Sequence, residues 1–189
     1  LPAAGLLTIA LPAMAETPVL TVLTYDSFTS EWGPGPAVEK AFEATCACDL
    51  QFVAAGDGAA VLARLKLEGE RTAADVVLGL DTALIATAND TGMFAPHDLG
   101  DLALDLPLAW SDPVWVPFDW GFFAFVYDKT RLPDPPASLA ELRTLPDSFK
   151  IIIQDPRSST PGLGLLRWVK HVFEDQASAF WADIRPNIL

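Results

Sequence analysis

The sequence predicts an α/β fold built on a mostly parallel, doubly wound sheet. Two observations carry that expectation. Three β-branched apolar runs follow one another within the first 80 residues, and each ends in a Gly, Asp or Ser turn that leads into residues with helical spacing. Strand and helix therefore alternate at the lengths of βαβ units, which pair in parallel. With 51% hydrophobic residues in a chain of 189, there is also enough apolar material for a core.

Residues 1–15 read as the end of an export signal. Leu6, Leu7, Ile9 and Leu11 make a short apolar core, and Ala13-Met14-Ala15 before Glu16 meets the small-residue rule of the cleavage enzyme. No initiator Met or basic stretch precedes this segment, so the sequence is expected to begin inside its own signal. No later run reaches the roughly 18 continuous apolar residues of a membrane-spanning helix. An exported, soluble protein is expected.

Residues 19–25 (Val19 to Tyr25) form the first predicted strand, closed by Asp26-Ser27 and the loop Gly33-Pro34-Gly35-Pro36. Val38, Ala41 and Phe42 then recur at helical spacing, with Glu39, Lys40 and Glu43 on the opposite face. Residues 48–54 make the second strand, Gly56-Asp57-Gly58 the turn, and Val61, Leu62 and Leu65 the apolar side of the next helix. Residues 75–80 make the third strand, followed by a helix over 82–88. Residues 93–113 are rich in Pro, Leu and Asp and read as irregular. The aromatic run 115–127 reads as one or two strands with a break at 117–121, and Phe122, Phe123 and Phe125 as core residues. Ser138 opens a short helix. Residues 149–154 make another buried strand, and 163–173 and 177–184 are helical.

Cys46 and Cys48 are a C-x-C pair. Residues two apart in an extended chain sit near the upper limit of Cα separation for a bridge, so a disulfide requires a local bend. A structural thiol pair or a disulfide at a helix-to-strand turn is the reading. Zinc would want four ligands, and only His97 and His171 remain.

The charges exclude one class of partner. Twelve Lys and Arg against 25 Asp and Glu give a formal net charge of −13, a field that repels phosphate backbones and argues against nucleic acid. The same field suits a cationic small molecule. There is no G-x-S-x-G, H-E-x-x-H, phosphate loop or dinucleotide fingerprint.

In parallel sheets ligands sit beyond the carboxyl ends of the strands, which selects Tyr25-Asp26-Ser27, Gly56-Asp57-Gly58 and Gly79-Leu80-Asp81. A fourth place is the loop 155–162, where Pro161 stands at the start of a helix and makes Ser159 or Thr160 the N-cap. Free backbone N–H groups at such an end attract anions; the plainer reading is an ordinary capped helix. Tyr25, Trp32, Phe118 and Trp120 offer ring faces for a flat or cationic ligand, or pack the core. Asp119 offers a counter-charge, or caps a turn.

These residues resemble the periplasmic thiamine-binding proteins, the substrate-binding components of the thiamine, thiamine monophosphate and thiamine pyrophosphate ABC transporter. The resemblance runs from about residue 18 to about residue 181. It is carried by Leu20-Thr21-Val22-Leu23-Thr24-Tyr25-Asp26-Ser27-Phe28 with Trp32-Gly33-Pro34-Gly35-Pro36, the Cys46-x-Cys48 pair, Ala74-Asp75-Val76-Val77-Leu78-Gly79-Leu80-Asp81, Val116-Pro117-Phe118-Asp119-Trp120-Gly121 and Gln154-Asp155-Pro156-Arg157-Ser158-Ser159-Thr160-Pro161-Gly162. It implies a type II periplasmic binding protein fold, two α/β lobes with ligand in the cleft, here truncated at the C-terminus. The expected division is a partial signal peptide over 1–15, a first lobe over 16–113, a crossover over 114–125 and the start of a second lobe over 126–189. Ligand contacts are expected from Tyr25, Asp57, Gly58, Ser159 and Thr160. No cofactor or metal is expected, thiamine or a phosphate ester being the transported ligand. The partner is an inner-membrane ABC permease, the state a monomer and the location the periplasm. Asp119-Trp120 stands where the family more usually has Asp-Tyr. Two alternatives share the fold: a thiamine-cleaving enzyme using Cys46 or Cys48 as nucleophile, and a receptor for iron or another cationic solute.

Overall fold

The computed structural model describes residues 16–100 and 103–189; the signal reading of residues 1–15 lies outside them. Three strands, β1 (Val19–Thr24), β2 (Asp49–Ala54) and β3 (Val76–Val77), form a parallel sheet in the order β2-β1-β3. Val19 lies opposite Asp49 and Thr24 opposite Ala54, while Val22 lies opposite Val76. Strand alternation sends Leu23, Val53 and Val77 to one face. There they meet Val61 and Leu65 of α3 (Gly58–Glu68), forming a cluster with Leu23 and Val61 almost fully buried. Each such side chain contributes about 1.5–3 kcal/mol on leaving water. On the other face lie α1 (Asp26–Thr29) and α2 (Gly35–Cys46), and Phe28 meets Phe52 edge-on at 5.3 Å.

The turn from α2 into β2 resolves the cysteine reading. Ala47 adopts a left-handed conformation (φ 52°), which ends the helix and supplies the bend. Cys46 and Cys48 are bridged, with Cα atoms 5.2 Å apart. The orientation of α2 differs from expectation. Val38 and Phe42 are more than two-fifths exposed, because the helix turns Glu43 toward the sheet, where its Oε1 accepts a 2.9 Å hydrogen bond from Leu50 N. A carboxylate on an edge-strand N–H fixes the roll of the helix and leaves its apolar stripe outward.

The third strand is shorter than predicted. Regular geometry is confined to Val76–Val77, although Asp75 N and Leu78 N both donate to β1 carbonyls. The helix expected over 82–88 begins later, as α4 (Ile85–Asn89).

Two expected strands do not form. Residues 115–127 are irregular, and Phe122, Phe123 and Phe125 are 84%, 49% and 41% exposed instead of core. A strand is held by a neighbour's N–H and C=O groups, and none of the described residues supplies them there. Residues 149–154 likewise make one parallel bridge, Ile151 to Ile188, and Ile152 is 79% exposed.

The second region is helical. Ser138 caps α5 (Leu139–Leu142), and α6 (Thr160–Phe173) and α7 (Ala177–Ile184) follow. Leu139, Leu142, Ile151, Val169, Phe180 and Ile184 bury one another in a cluster that shares no residue with the one beneath the sheet. Phe173 stacks on Phe180 at 4.8 Å. Buried Asn187 donates to Pro146 O and Phe149 O, tying the chain end to the bridge. No described helix is long and apolar enough to cross a membrane.

Candidate functional site

The carboxyl ends of the three parallel strands lie on one edge of the sheet, and the loops leaving them interlock. Asp26 N donates to Gly56 O and Asp26 Oδ1 accepts from Gly56 N, both at 2.8 Å. The loop after β1 is thereby zipped to the loop carrying Asp57. Gly79 lies two residues past β3 with φ +98°, and a Cβ there would stand 2.2 Å from Tyr25 Cδ1, in collision with the ring. The missing side chain is what lets that ring lie against the β3 loop. Tyr25 is half-buried and meets Phe28 edge-on at 5.7 Å. Burial, then the negative charges of Asp119 and Asp57, push its phenol above the ordinary value of 10, so it stays a neutral donor and acceptor.

Asp57 is the N-cap of α3, its Oδ1 accepting from Gly58 N at 2.8 Å. The same carboxylate reaches 103 residues along the chain. Thr160 N donates to Oδ2 at 2.7 Å and Thr160 Oγ1 donates to Oδ1 at 3.1 Å. One carboxylate thus lies between the N-termini of α3 and α6, where both helix dipoles favour negative charge. Gly58 is buried at the crossing: a Cβ would stand 2.7 Å from Gly79 O and 3.2 Å from Thr160 Oγ1. Ser159 is the N-cap of α6, accepting from Gly162 N and donating to Gln154 Oε1. Tyr25, Asp57, Gly58, Ser159 and Thr160 are therefore brought to one place from three separate stretches of sequence.

The expectation of free N–H groups at the start of α6 is corrected. Thr160 N is taken by Asp57, Pro161 has none, Gly162 N is taken by Ser159 Oγ and Leu163 N by Ser159 O. The protein's own carboxylate occupies the anion position.

The other aromatics divide. Phe118 packs edge-on against Phe28 at 6.0 Å, which carries Asp119 into the neighbourhood of Tyr25. Trp120 meets Phe122 at 5.5 Å and is half exposed, and Trp32 is 81% exposed. Phe123 covers Gly164 on α6, where a Cβ would collide with its ring. Asp26 and Gly79 were the positioning residues that the sequence left unassigned. Both stood in the strand-end triplets, but nothing local distinguishes a carboxylate that ties two loops from one that faces water. The bridged cysteines lie at the start of β2, the end opposite Tyr25 and Asp57, and neither sulfur is a thiol. Among the described residues no group of three or more His, Cys, Asp or Glu side chains is placed to hold a metal ion.

An α/β chain with polar residues gathered at strand ends and a helix start offers a place for a ligand at that edge of the sheet. Residues 71–189 match the family of bacterial extracellular solute-binding proteins, and the chain belongs to that family. It is 53% identical over 179 residues to the thiamine-binding periplasmic protein of Salmonella typhimurium, covering 95% of this chain and 54% of that protein. The protein of the same description from Escherichia coli is 52% identical over 173 residues, covering 92% and 53%. A solved structure described as a periplasmic thiamin binding protein superposes with a TM-score of 0.88 at 48% identity, covering 96% of this chain and 57% of that one. The chain spans about half the length of the curated relatives it matches.

Proposed function

We propose that this chain belongs to a periplasmic receptor that captures thiamine, and its phosphate esters, and delivers it to an ABC importer. The single observation that carries the reading is the convergence of Tyr25, Asp57 and the Ser159-Thr160 turn on one place. The identities of about one half to relatives described as thiamine-binding support it. In this reading residues 16–113 and 126–189 form two lobes, residues 114–125 cross between them, and the ligand lies in the cleft. The Tyr25 ring faces the heterocycle. Three of the roughly four acceptor positions of the Asp57 carboxylate are used within the protein, and the remaining one takes the amino group of the pyrimidine. The Ser159 and Thr160 hydroxyls, their protons given to Gln154 and Asp57, accept from the hydroxyethyl end. The protein works as an exported monomer beside its permease, with no cofactor and no catalytic step.

Titration calorimetry of the full-length protein with thiamine, its monophosphate and its pyrophosphate tests the reading, with spermidine and ferric citrate as competitors. Saturable heat with a thiamine form, and chromatographic recovery of that ligand intact, is the expected result. Heat with spermidine or iron alone would overturn it, and a released thiazole would assign an enzyme.

A further inference from the structure

The loops that carry Tyr25 and Asp57 are joined through one exposed side chain, Asp26. In the β1–β2 register Thr24 lies opposite Ala54, so the next step of a parallel ladder would give Asp26 N the carbonyl of Ala55. It takes the carbonyl of Gly56 instead, at 2.8 Å. The slip is made at Gly56, whose φ of +79° lies in the left-handed region that a side chain would strain. Gly56 N then donates to Asp26 Oδ1, also at 2.8 Å. Two hydrogen bonds running in opposite directions thus close a ring between residues 30 positions apart.

Gly56 is the residue directly before Asp57, and directly after Asp57 comes the first turn of α3. The Asp57 backbone is therefore fixed from both directions, and its carboxylate stands where Gly58 N, Thr160 N and Thr160 Oγ1 converge. A further donor approaching that carboxylate is sensitive to its place, because hydrogen bonds weaken steeply with distance and angle. A binding group is held to within about 0.5 Å only when its supports are themselves locked by packing or hydrogen bonds. Asp26 is such a support, and its bond to Gly56 N is charge-assisted, the stronger kind.

We propose that Asp26 determines the selectivity of the site for a ligand amino group: by clamping Gly56 it sets the position of the Asp57 carboxylate, and it touches no ligand itself. The inference rests on the proposed function in one respect, that the pyrimidine amino group donates to Asp57.

Two measurements on the full-length protein test it. The first, amide chemical shifts recorded without thiamine, depends on no ligand. Asp26→Ala removes the acceptor and no buried atom, and is expected to move the Gly58 and Thr160 amide resonances. Asp26→Asn, whose carboxamide oxygen still accepts from Gly56 N, is expected to return them most of the way. Gly58 and Thr160 resonances that stay in place in Asp26→Ala overturn the proposal. The second is the ratio of affinities for thiamine and for oxythiamine, the analogue with an oxo group in place of the pyrimidine amino group. Asp26→Ala is expected to lower the thiamine affinity on the order of tenfold and to leave the oxythiamine affinity nearly unchanged, with most of the ratio recovered in Asp26→Asn. An equal fall for both ligands marks a general structural role and overturns the proposal. So does a ratio lost equally in the Asn and Ala variants, since the charge of Asp26 would then act on the ligand directly. A parent protein with no preference for thiamine over oxythiamine contradicts the amino-group assignment of Asp57 instead, and the amide resonances then decide the role of Asp26.

Discussion

Residues 19–77 and residues 139–188 each bury a compact set of apolar side chains, yet they reach it by different routes. The first region builds a parallel sheet from three strands in sequence and covers it with α3; the second packs α5, α6 and α7 around a single β-bridge. The contrast follows from where backbone hydrogen bonds are found. A helix satisfies its own N–H and C=O groups, whereas a parallel strand needs a neighbour supplied by a distant part of the chain. The first region contains three neighbours for one another. The strand-like runs 115–127 and 149–154 do not: the first stays largely outside, and the second sends Ile151, with Phe149 and Ile153 beside it, into the helical cluster.

The comparison can be broken by asking whether the two regions unfold together. Phe180→Ala removes an almost fully buried ring from the helical cluster, at an expected cost of about 3–5 kcal/mol. Hydrogen exchange should show protection falling through α6 and α7 while amides of β1 and β2 keep theirs. Equal loss in β1 would mean that the regions are one cooperative unit.

A smaller effect is expected inside the sheet. Thr24 is fully buried and its hydroxyl has no hydrogen-bond partner among the described residues. Thr24→Val keeps the shape and removes the orphan oxygen, so stability should rise by about 1 kcal/mol, seen as a higher thermal midpoint. A lower midpoint would show that the hydroxyl holds a partner.

The smallest effect lies on the loop before α6. Hydrogen bonds from Arg157 hold the Asp155 carboxyl at about 2, below its ordinary 3.8. A depressed carboxyl contributes stability above its unfolded value and loses it as pH falls through the folded one, here between about 4 and 2. Both side chains face solvent, so the contribution is slight. Arg157→Ala should bring the Asp155 titration, followed by carbon NMR, back toward its ordinary value.

Much of this was legible in the residues because the signals are local. The β1–α2–β2–α3 order follows from hydrophobic periodicity and glycine turns, and Ser159 ahead of Thr160-Pro161 marks the start of α6. The C-x-C bend needed only one residue able to turn. What was hidden depends on contacts made far along the chain. That Glu43 would hold an edge-strand N–H and turn Val38 and Phe42 outward has no local marker. Asp57 reads as a cap, which it is, but nothing nearby announces that Thr160 completes its coordination. The aromatic run 115–127 has strand composition, and composition alone does not supply the partner.

The most direct test of the account is a crystal structure of the full-length protein with thiamine bound. The account predicts the vitamin against Tyr25, with its amino group on Asp57 and its hydroxyethyl end at Ser159 and Thr160. Thiamine seated elsewhere, for example on the outward face of Val38 and Phe42, with Tyr25, Asp57 and Thr160 untouched, would contradict it.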